Sequence, residues 1–316
     1  MRPFKHESAR RDHYQELTEA VIAKLEEGTP PWRRPWDPSK CAAATSPMNP
    51  VTGRSYRGVN ALALALSPLA FAGDPRWMTY RQAGERGWQV RKGEKGAIVF
   101  FYKKLELRDR QGDDDERRTI PLLRAYTVFH ASQIDGVPEL GAPMAARPVP
   151  ERIADADLIV KASGVRVEIG GDRAYYAPAS DHIRMPPDEA FESPAARSAT
   201  VLHELGHASG APHRLNRDLS GRFGDTAYSR EELRAELASY FVGSALDLPC
   251  DVPNHVSYIQ SWIKVLKSDT REIFRAAADA SRIADWILSH HPDHGESRDP
   301  ASEDEPSPAP TEALAA

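Results

Sequence analysis

The sequence predicts an α+β chain of two domains, and three observations carry that reading. Its 316 residues exceed what one compact core usually encloses. Helical and strand periodicities occur in both halves. The stretch "DGVPELGAPMAARPVPE" at 135–151 has the proline and glycine density of a linker, so the domains are expected at 1–134 and 151–289, joined through 135–150.

The elements follow in order. Tyr14, Leu17, Val21, Ile22 and Leu25 recur at helical spacing and Gly28 follows as a C-cap, which predicts an opening amphipathic helix. Proline-rich "TPPWRRPWDPSK" breaks it, and Trp32 to Pro50 is expected to be an extended loop. "NALALALSPLAF" predicts a second short helix, and "RWMTYRQAGER" (76–86) a third, stopped by Gly87. Two strands are expected at "AIVFFY" (97–102) and "LLRAYTVFH" (122–130), with the charged "DDDERR" between them forming a solvated hairpin tip. The second half opens with a helix over 151–163. "VRVEIG" and "RAYYAP" then predict a strand pair turning at Gly170 and Gly171, and "DHIRMPP" an extended edge ended by its prolines. Helices are predicted at 195–209, ended by Gly210, at 230–246, and over parts of 254–289. From His290 to Ala316 large apolar side chains are nearly absent, which predicts a disordered tail.

Composition narrows the function. No apolar run reaches membrane-spanning length, "ALALAL" at 61–66 being far too short, and "MRPFKHESAR" has no apolar signal core. Cys41 and Cys250 are the only cysteines, so neither a disulfide framework nor a cysteine-rich zinc knuckle is indicated, and a reducing cytoplasm fits. Residues 1–105 hold 18 Lys and Arg against 10 Asp and Glu, leaving 23 against 36 for 106–316. A basic front coupled to an acidic back suggests a polyanion-binding module joined to something else.

"ATVLHELGHASG" (199–210) supplies the chemistry. At this chain's His and Glu frequencies an H-E-x-x-H match arises by accident roughly three times in a hundred, so its neighbours must decide. Positions i and i+4 share a helix face, so His203 and His207 can both aim a ring nitrogen at one ion, with Glu204 beside them to take a proton from bound water. Val201, Leu202, Leu205 and Ala208 make the same helix apolar and therefore buried, and buried paired histidines need a partner. A third protein ligand is available in "SREELRAELASYF", where Glu232 and Glu236 share a face. His213 is the next candidate. The expected cofactor is Zn2+.

The front half interleaves aromatic and basic side chains as a single-strand groove requires, stacking on bases while tracking phosphates. The candidates are Trp32, Arg33, Arg34 and Trp36, then Arg54, Tyr56 and Arg57, then Trp77, Tyr80 and Arg81, then Arg91, Lys92 and Lys95. Glycines in "RKGEKG" let backbone N–H groups approach a phosphate.

Here the motifs become specific. "HELGHASGAPHRLNRDLSGRFGDTAYSREELRAELASYF", together with "DRAYYAPASDHIRMPP", resembles the zincin-type metallopeptidase domain of the ArdC-type antirestriction proteins. "GTPPWRRPW", "NPVTGRSYRGVN" and "WMTYRQAGERGWQVRKGEKG" resemble that family's single-stranded-DNA-binding domain, shared with TraC-type plasmid primases. The resemblance spans about residues 14–290. It implies His203 and His207 as metal ligands, Glu204 as general base, and, from "ELRAE", Glu232 as third ligand with Glu236 supporting a ligand histidine; a rotated helix would exchange the two acids. "HASGAPH" lacks the aromatic that many relatives carry after the second histidine, which implies a different wall to that pocket.

Three readings follow from the resemblance: an antirestriction protein that coats incoming single-stranded plasmid DNA and carries a metallopeptidase-like domain, with a host restriction component as a candidate substrate; a regulatory metallopeptidase localised by DNA; and a non-enzymatic accessory of primases. No membrane partner is expected.

Overall fold

The computed structural model describes residues 12–28, 30–32, 46–70, 72–108, 117–141, 147–222, 224–248 and 255–294, without the side chains of 103–122 and 255–257. Helix α1 (His13–Glu26) starts where the Asp12 carboxylate accepts from the N–H groups of Tyr14 and Gln15, and it buries Leu17, Val21, Ile22 and Leu25. Gly28, at φ +78°, takes the left-handed position beyond its end. Helix α2 (Gly58–Ala65) follows. The segment expected to be a helix over 76–86 divides: Trp77–Thr79 is strand β1, and only Tyr80–Glu85 is helical, as α3. Thr79 and Gln82 form a capping box at that boundary, so the helix cannot extend back through β1.

Strands β2 (Gln89–Val90), β3 (Ala97–Arg108), β4 (Arg117–His130) and β5 (Ile134–Asp135) complete the front half. β3 and β4 form the expected antiparallel hairpin, β1 adds to the outer edge of β4, and β2 pairs with β5. The hairpin tip and most of the 32–50 loop lie outside the described residues. Asn60 on α2 is buried because its amide works as a strand partner: its Nδ2 donates to Phe100 O at 2.8 Å and its Oδ1 accepts from Phe100 N at 2.6 Å.

The second half runs α4 (Val149–Ala162), β6 (Arg166–Ile169), β7 (Tyr175–Ala177), β8 (His182–Met185), α5 (Pro194–Ala208), α6 (Thr226–Leu246), α7 (His255–Ser268) and α8 (Glu272–Leu288). Two expectations are corrected here. β6 and β7 are not a hairpin pair, and β8 is not an edge: the order is β6-β8-β7, with β8 parallel to β6 and antiparallel to β7. Gly170 explains the first, since its N–H donates to Met185 O at 2.8 Å and so faces β8. Pro186 and Pro187 explain the second, because they follow the last residue of β8 and remove no donor from its ladder. The tail is corrected at its start, where His291 is buried and its Nε2 lies 3.2 Å from Asp155 on α4.

The two halves share a core. Leu17, Val21, Leu25, Trp32, Leu62 and Phe100 belong to the same buried cluster as Leu205, Leu237, Trp262 and Phe274. Tyr14 and Phe100 both pack against the Phe274 ring, at centroid distances of 4.6 and 5.2 Å. Thr18 Oγ1 donates to Thr270 O at 2.7 Å, and Arg57 pairs with Asp285. Among the described residues no helix is long and apolar enough to cross a membrane.

Candidate metal centre

Helix α5 begins at Ser193, whose hydroxyl accepts from Ala196 N, followed by Pro194 at the first position. Its apolar positions are buried, and with them His203, Glu204 and Gly206. Helix α6 crosses beside it. A Cβ added at Gly206 would meet Ala235 Cα at 3.8 Å, so small residues on both helices permit the approach.

That approach brings three side chains together. His203, His207 and Glu232 offer ligand atoms that all lie within 4.8 Å of one another. The two Nε2 atoms are 3.2 Å apart, and Glu232 oxygens lie 3.7 Å from His203 Nε2 and 3.5 Å from His207 Nε2. Two ligands held 2.0–2.2 Å from a tetrahedral ion stand roughly 3.3–3.5 Å apart, so the donor set fits an ion of zinc's size.

The far nitrogens of both rings are engaged as such a site requires. Ser239 Oγ donates to Ala235 O at 2.9 Å, so at 3.4 Å it accepts from His203 Nδ1. His207 Nδ1 donates to Glu231 Oε1 at 3.3 Å. With Nδ1 carrying the proton on each ring, the Nε2 lone pairs face the common point. Glu231 is itself held by Arg217, whose Nη2 and Nε donate to its oxygens at 2.7 and 3.2 Å while Nη2 and Nη1 also donate to Gly206 O and Ser209 Oγ, each at 2.8 Å.

The supporting acid is therefore Glu231, which the sequence reading missed. Glu236, expected to support a histidine, instead accepts from the indole N–H of Trp32 at 3.0 Å. His213 lies outside the cluster, with its ring 3.5 Å from Asp181. The R-L-x-R motif now divides in role. Arg217 holds Glu231, and Arg214 donates to both Asp181 oxygens, at 2.8 and 3.0 Å, and to Ala208 O at 2.8 Å, tying the end of α5 to the sheet. Ala208 is fully buried in the core.

The charges are coupled. Burial opposes a charged His207 ring, but Glu232, Glu231 and Glu204 outweigh it and push its pKa up to about 9. His203 is raised as well, burial again being overcome, chiefly through Glu232. Glu232 is pulled down to about 2, its burial outweighed by the two histidines and by a hydrogen bond from Tyr228.

The nucleic-acid candidates separate by position. Trp32 is 4% exposed, packed 6.0 Å from Trp262, and Trp77 is 1% exposed with its ring edge-on to His130 at 4.9 Å, so neither presents a face to a base. Tyr56 is half-buried with its hydroxyl donating to Trp77 O at 3.2 Å, and Arg57 is committed to Asp285. Arg54, Arg81, Arg91, Lys92 and Lys95 are exposed, as is Tyr80 at 57%. Arg81 pairs with Glu85 at 2.7 Å and Arg91 with Glu94 at 2.9 Å. Arg33, Arg34 and Trp36 lie outside the described residues.

Comparison with known proteins agrees with this architecture. Residues 11–129 match the N-terminal domain of anti-restriction factor ArdC, and 154–279 match a zincin-like metallopeptidase family. The metal-free crystal structure of the ArdC antirestriction protein from plasmid R388 superposes with a TM-score of 0.73 at 40% identity, covering 89% of this chain and 98% of that one. The chain belongs to the ArdC antirestriction family. The Mn(II)-bound structure of the same R388 protein superposes at 0.72 with 39% identity, over the same shares of the two chains. Protein y4eC of Sinorhizobium fredii is 42% identical over 293 residues, covering 89% of this chain and 93% of its own length. Two Escherichia coli proteins named DNA primase TraC are 42% and 41% identical over 295 residues, but this ArdC-family chain spans only 27% and 20% of their lengths. The zincin-like domain and the manganese-bound relative together indicate a divalent metal.

Two outcomes are expected. Glu232→Gln should weaken divalent-metal retention most under equal chelator challenge, Glu231→Gln by about 10–100-fold as a ligand-orienting partner, and Glu236→Gln least. Loss from Glu236→Gln exceeding that from Glu232→Gln would reverse the assignment. Metal affinity should also climb steeply from about pH 6 to about pH 9. In the metal-free chain His207 stabilises fully below its ordinary 6.5 and loses that contribution as pH rises through about 9, while Glu232 stabilises fully above 4.5 and loses it as pH falls toward about 2. The proton on His207 therefore competes with the cation until it is removed, and isothermal titration across this range measures the slope.

Proposed function

We propose that this chain is an antirestriction protein whose N-terminal domain, residues 1–134, binds single-stranded DNA and shields plasmid DNA entering the cytoplasm of a new host. A domain over 151–289, reached through 135–150, then acts as a zinc metallopeptidase, with a host restriction component as the favoured class of substrate. The observation that carries the reading is the convergence of His203, His207 and Glu232 beside Glu204, within a chain that superposes on an ArdC protein over 89% of its length.

His203, His207 and Glu232 would hold the ion through three protein atoms, the number that leaves a position open for chemistry. When bound, zinc lowers the pKa of water and polarises a carbonyl. Glu204 follows His203 on α5, is nearly buried, and its charge acts on both histidines. Its carboxylate accepts the proton of the attacking water and returns it to the departing amine. Arg217 and Glu231 keep His207 from turning its lone pair away.

For DNA, the supporting feature is the exposed run around α3 and the 91–96 turn. Lys92 and Lys95 lie either side of Gly93, which sits at φ +89°, and all are exposed, as are Tyr80 and Arg81 shortly before them in sequence. Phosphate contacts and stacking on such a surface bind single strands without reading base edges.

Glu204→Gln should retain metal and single-stranded-DNA affinity while losing peptide hydrolysis by about 10²–10⁴-fold. Hydrolysis undiminished in that variant would remove Glu204 from the chemistry. Survival of plasmid protection in the same variant would assign protection to the DNA domain, and its loss would tie protection to cleavage. Lys92→Glu combined with Lys95→Glu should weaken single-strand binding and flatten the log–log salt dependence by about 1.4, roughly 0.7 per lost phosphate contact. An unchanged slope would place the DNA elsewhere.

A further inference from the structure

The wall of the metal centre that faces α7 is built from two tyrosines. Tyr228 and Glu232 stand four residues apart on α6, hence on one face, and Tyr258 approaches from α7 until the two phenolic oxygens are 3.2 Å apart. Both rings are partly buried and packed, tilted at 44° with centroids 6.1 Å apart. Behind them Tyr258 stacks on Trp262 at 6.0 Å and 23°.

The proton inventory orders these contacts. Tyr228 hydrogen-bonds Glu232, and an ionised carboxylate only accepts, so the single phenolic proton of Tyr228 is committed to Glu232. Tyr258 must then be the donor across the 3.2 Å contact, since Tyr228 has only its oxygen lone pairs left. The result is a directed chain from Tyr258 through Tyr228 to Glu232, with each donor polarising the next. Its origin on α7 and its end on α6 fix the rotation of the carboxylate about its last torsion, which helix packing alone leaves broad.

The loop before α6 secures the near end of this chain. A Cβ at Gly221 would lie 2.3 Å from Tyr228 N, so only glycine lets the loop pass over the first turn of α6. Arg217 anchors the same loop to Glu231, next to Glu232 in sequence. Tyr228 is thus held on two sides.

We propose that Tyr228, backed by Tyr258, is the positioning residue for the Glu232 ligand: its hydroxyl holds the carboxylate in the rotation that sets Oε1 3.5 Å from His207 Nε2 and Oε2 3.7 Å from His203 Nε2. The inference rests on metal binding at this cluster and not on peptide hydrolysis. Neither tyrosine is assigned contact with a substrate.

The test is the dissociation constant for Zn2+ and for Mn2+ in the full-length protein, by competition with a chromophoric chelator, alongside melting of the metal-free protein. Tyr228→Phe keeps the ring and removes the hydroxyl, so the metal-free protein should stay folded with a melting temperature lowered by no more than a few degrees, while metal affinity falls about 10–100-fold. Tyr258→Phe should cost only several-fold. The double variant should be no weaker than Tyr228→Phe alone, because Tyr258 acts only through Tyr228. Wild-type affinity in Tyr228→Phe, or additive losses in the double variant, would overturn the proposal. His203→Ala serves as the reference: if it too retains full affinity the metal lies elsewhere and the centre itself is misassigned, whereas its failure to bind beside a normal Tyr228→Phe rejects the tyrosine chain alone.

Discussion

The crossing of α5 over α6 is the contact on which the rest depends. Gly206 lies between the two histidines on α5, and Ala235 lies between Glu232 and Glu236 on α6, so each helix presents a small residue where the two approach. A Cβ at Gly206 would already stand in van der Waals contact with Ala235, at 3.8–3.9 Å, so side chains reaching beyond a methyl would press the helices apart and widen the 3.5–3.7 Å gaps between Glu232 and the histidine nitrogens. Leu205, Leu233 and Leu237 seal the crossing from the interior. Ser239 and Glu231 then fix the backs of the rings, so geometry set by packing becomes geometry set by hydrogen bonds. Packing without those bonds would leave both imidazoles free to exchange tautomers and point a proton at the ion.

The same helix ties the metal centre to the front of the chain. Glu236 is one turn beyond Glu232 and receives Trp32, the last described residue before the basic "RRPW" segment, while Trp262 packs against both Trp32 and Tyr258. A tryptophan whose N–H meets a buried carboxylate satisfies two polar groups that would each be costly to bury alone. That mutual satisfaction explains why an aromatic residue of the front half sits in the core of the back half. Thr18 and Phe100 add independent contacts, so residues of both family segments meet in one buried cluster.

How much of this was legible in sequence depended on whether the decisive contact was local. The i, i+4 spacing of His203 and His207, the helices containing them, and the β3–β4 hairpin are local patterns and were readable. The choice among Glu231, Glu232 and Glu236 was not, because three acids within six residues point around α6 at angles that only its partner helix can interpret. The motif points to Glu232 as ligand, and the fold sets that carboxylate beside both histidines; it points to Glu236 as support, and that acid accepts from Trp32, 204 residues away in sequence. Strand order failed for the same reason: Gly170 looked like a hairpin turn and is instead a close neighbour of Arg184 on β8. By contrast, the Thr79–Gln82 capping box is a local signal that the sequence carries, and it marks where the third helix begins. Trp32 and Trp77 show the limit of counting aromatic and basic residues together, since composition does not say which face of a small domain a ring occupies.

Charge explains why so acidic a cluster tolerates burial. Glu204, Glu231 and Glu232 surround two imidazoles in the interior, and Arg217 balances only the one carboxylate it touches. Left alone, such a group must gain positive charge, and in the metal-free chain it does so by raising His203 and His207 and so retaining a proton. A divalent cation supplies that charge more completely and frees the Nε2 lone pairs to hold it. The proton and the metal are thus alternative solutions to one electrostatic requirement, and the acids that make the apo site hold its proton are the ones that make it a cation site.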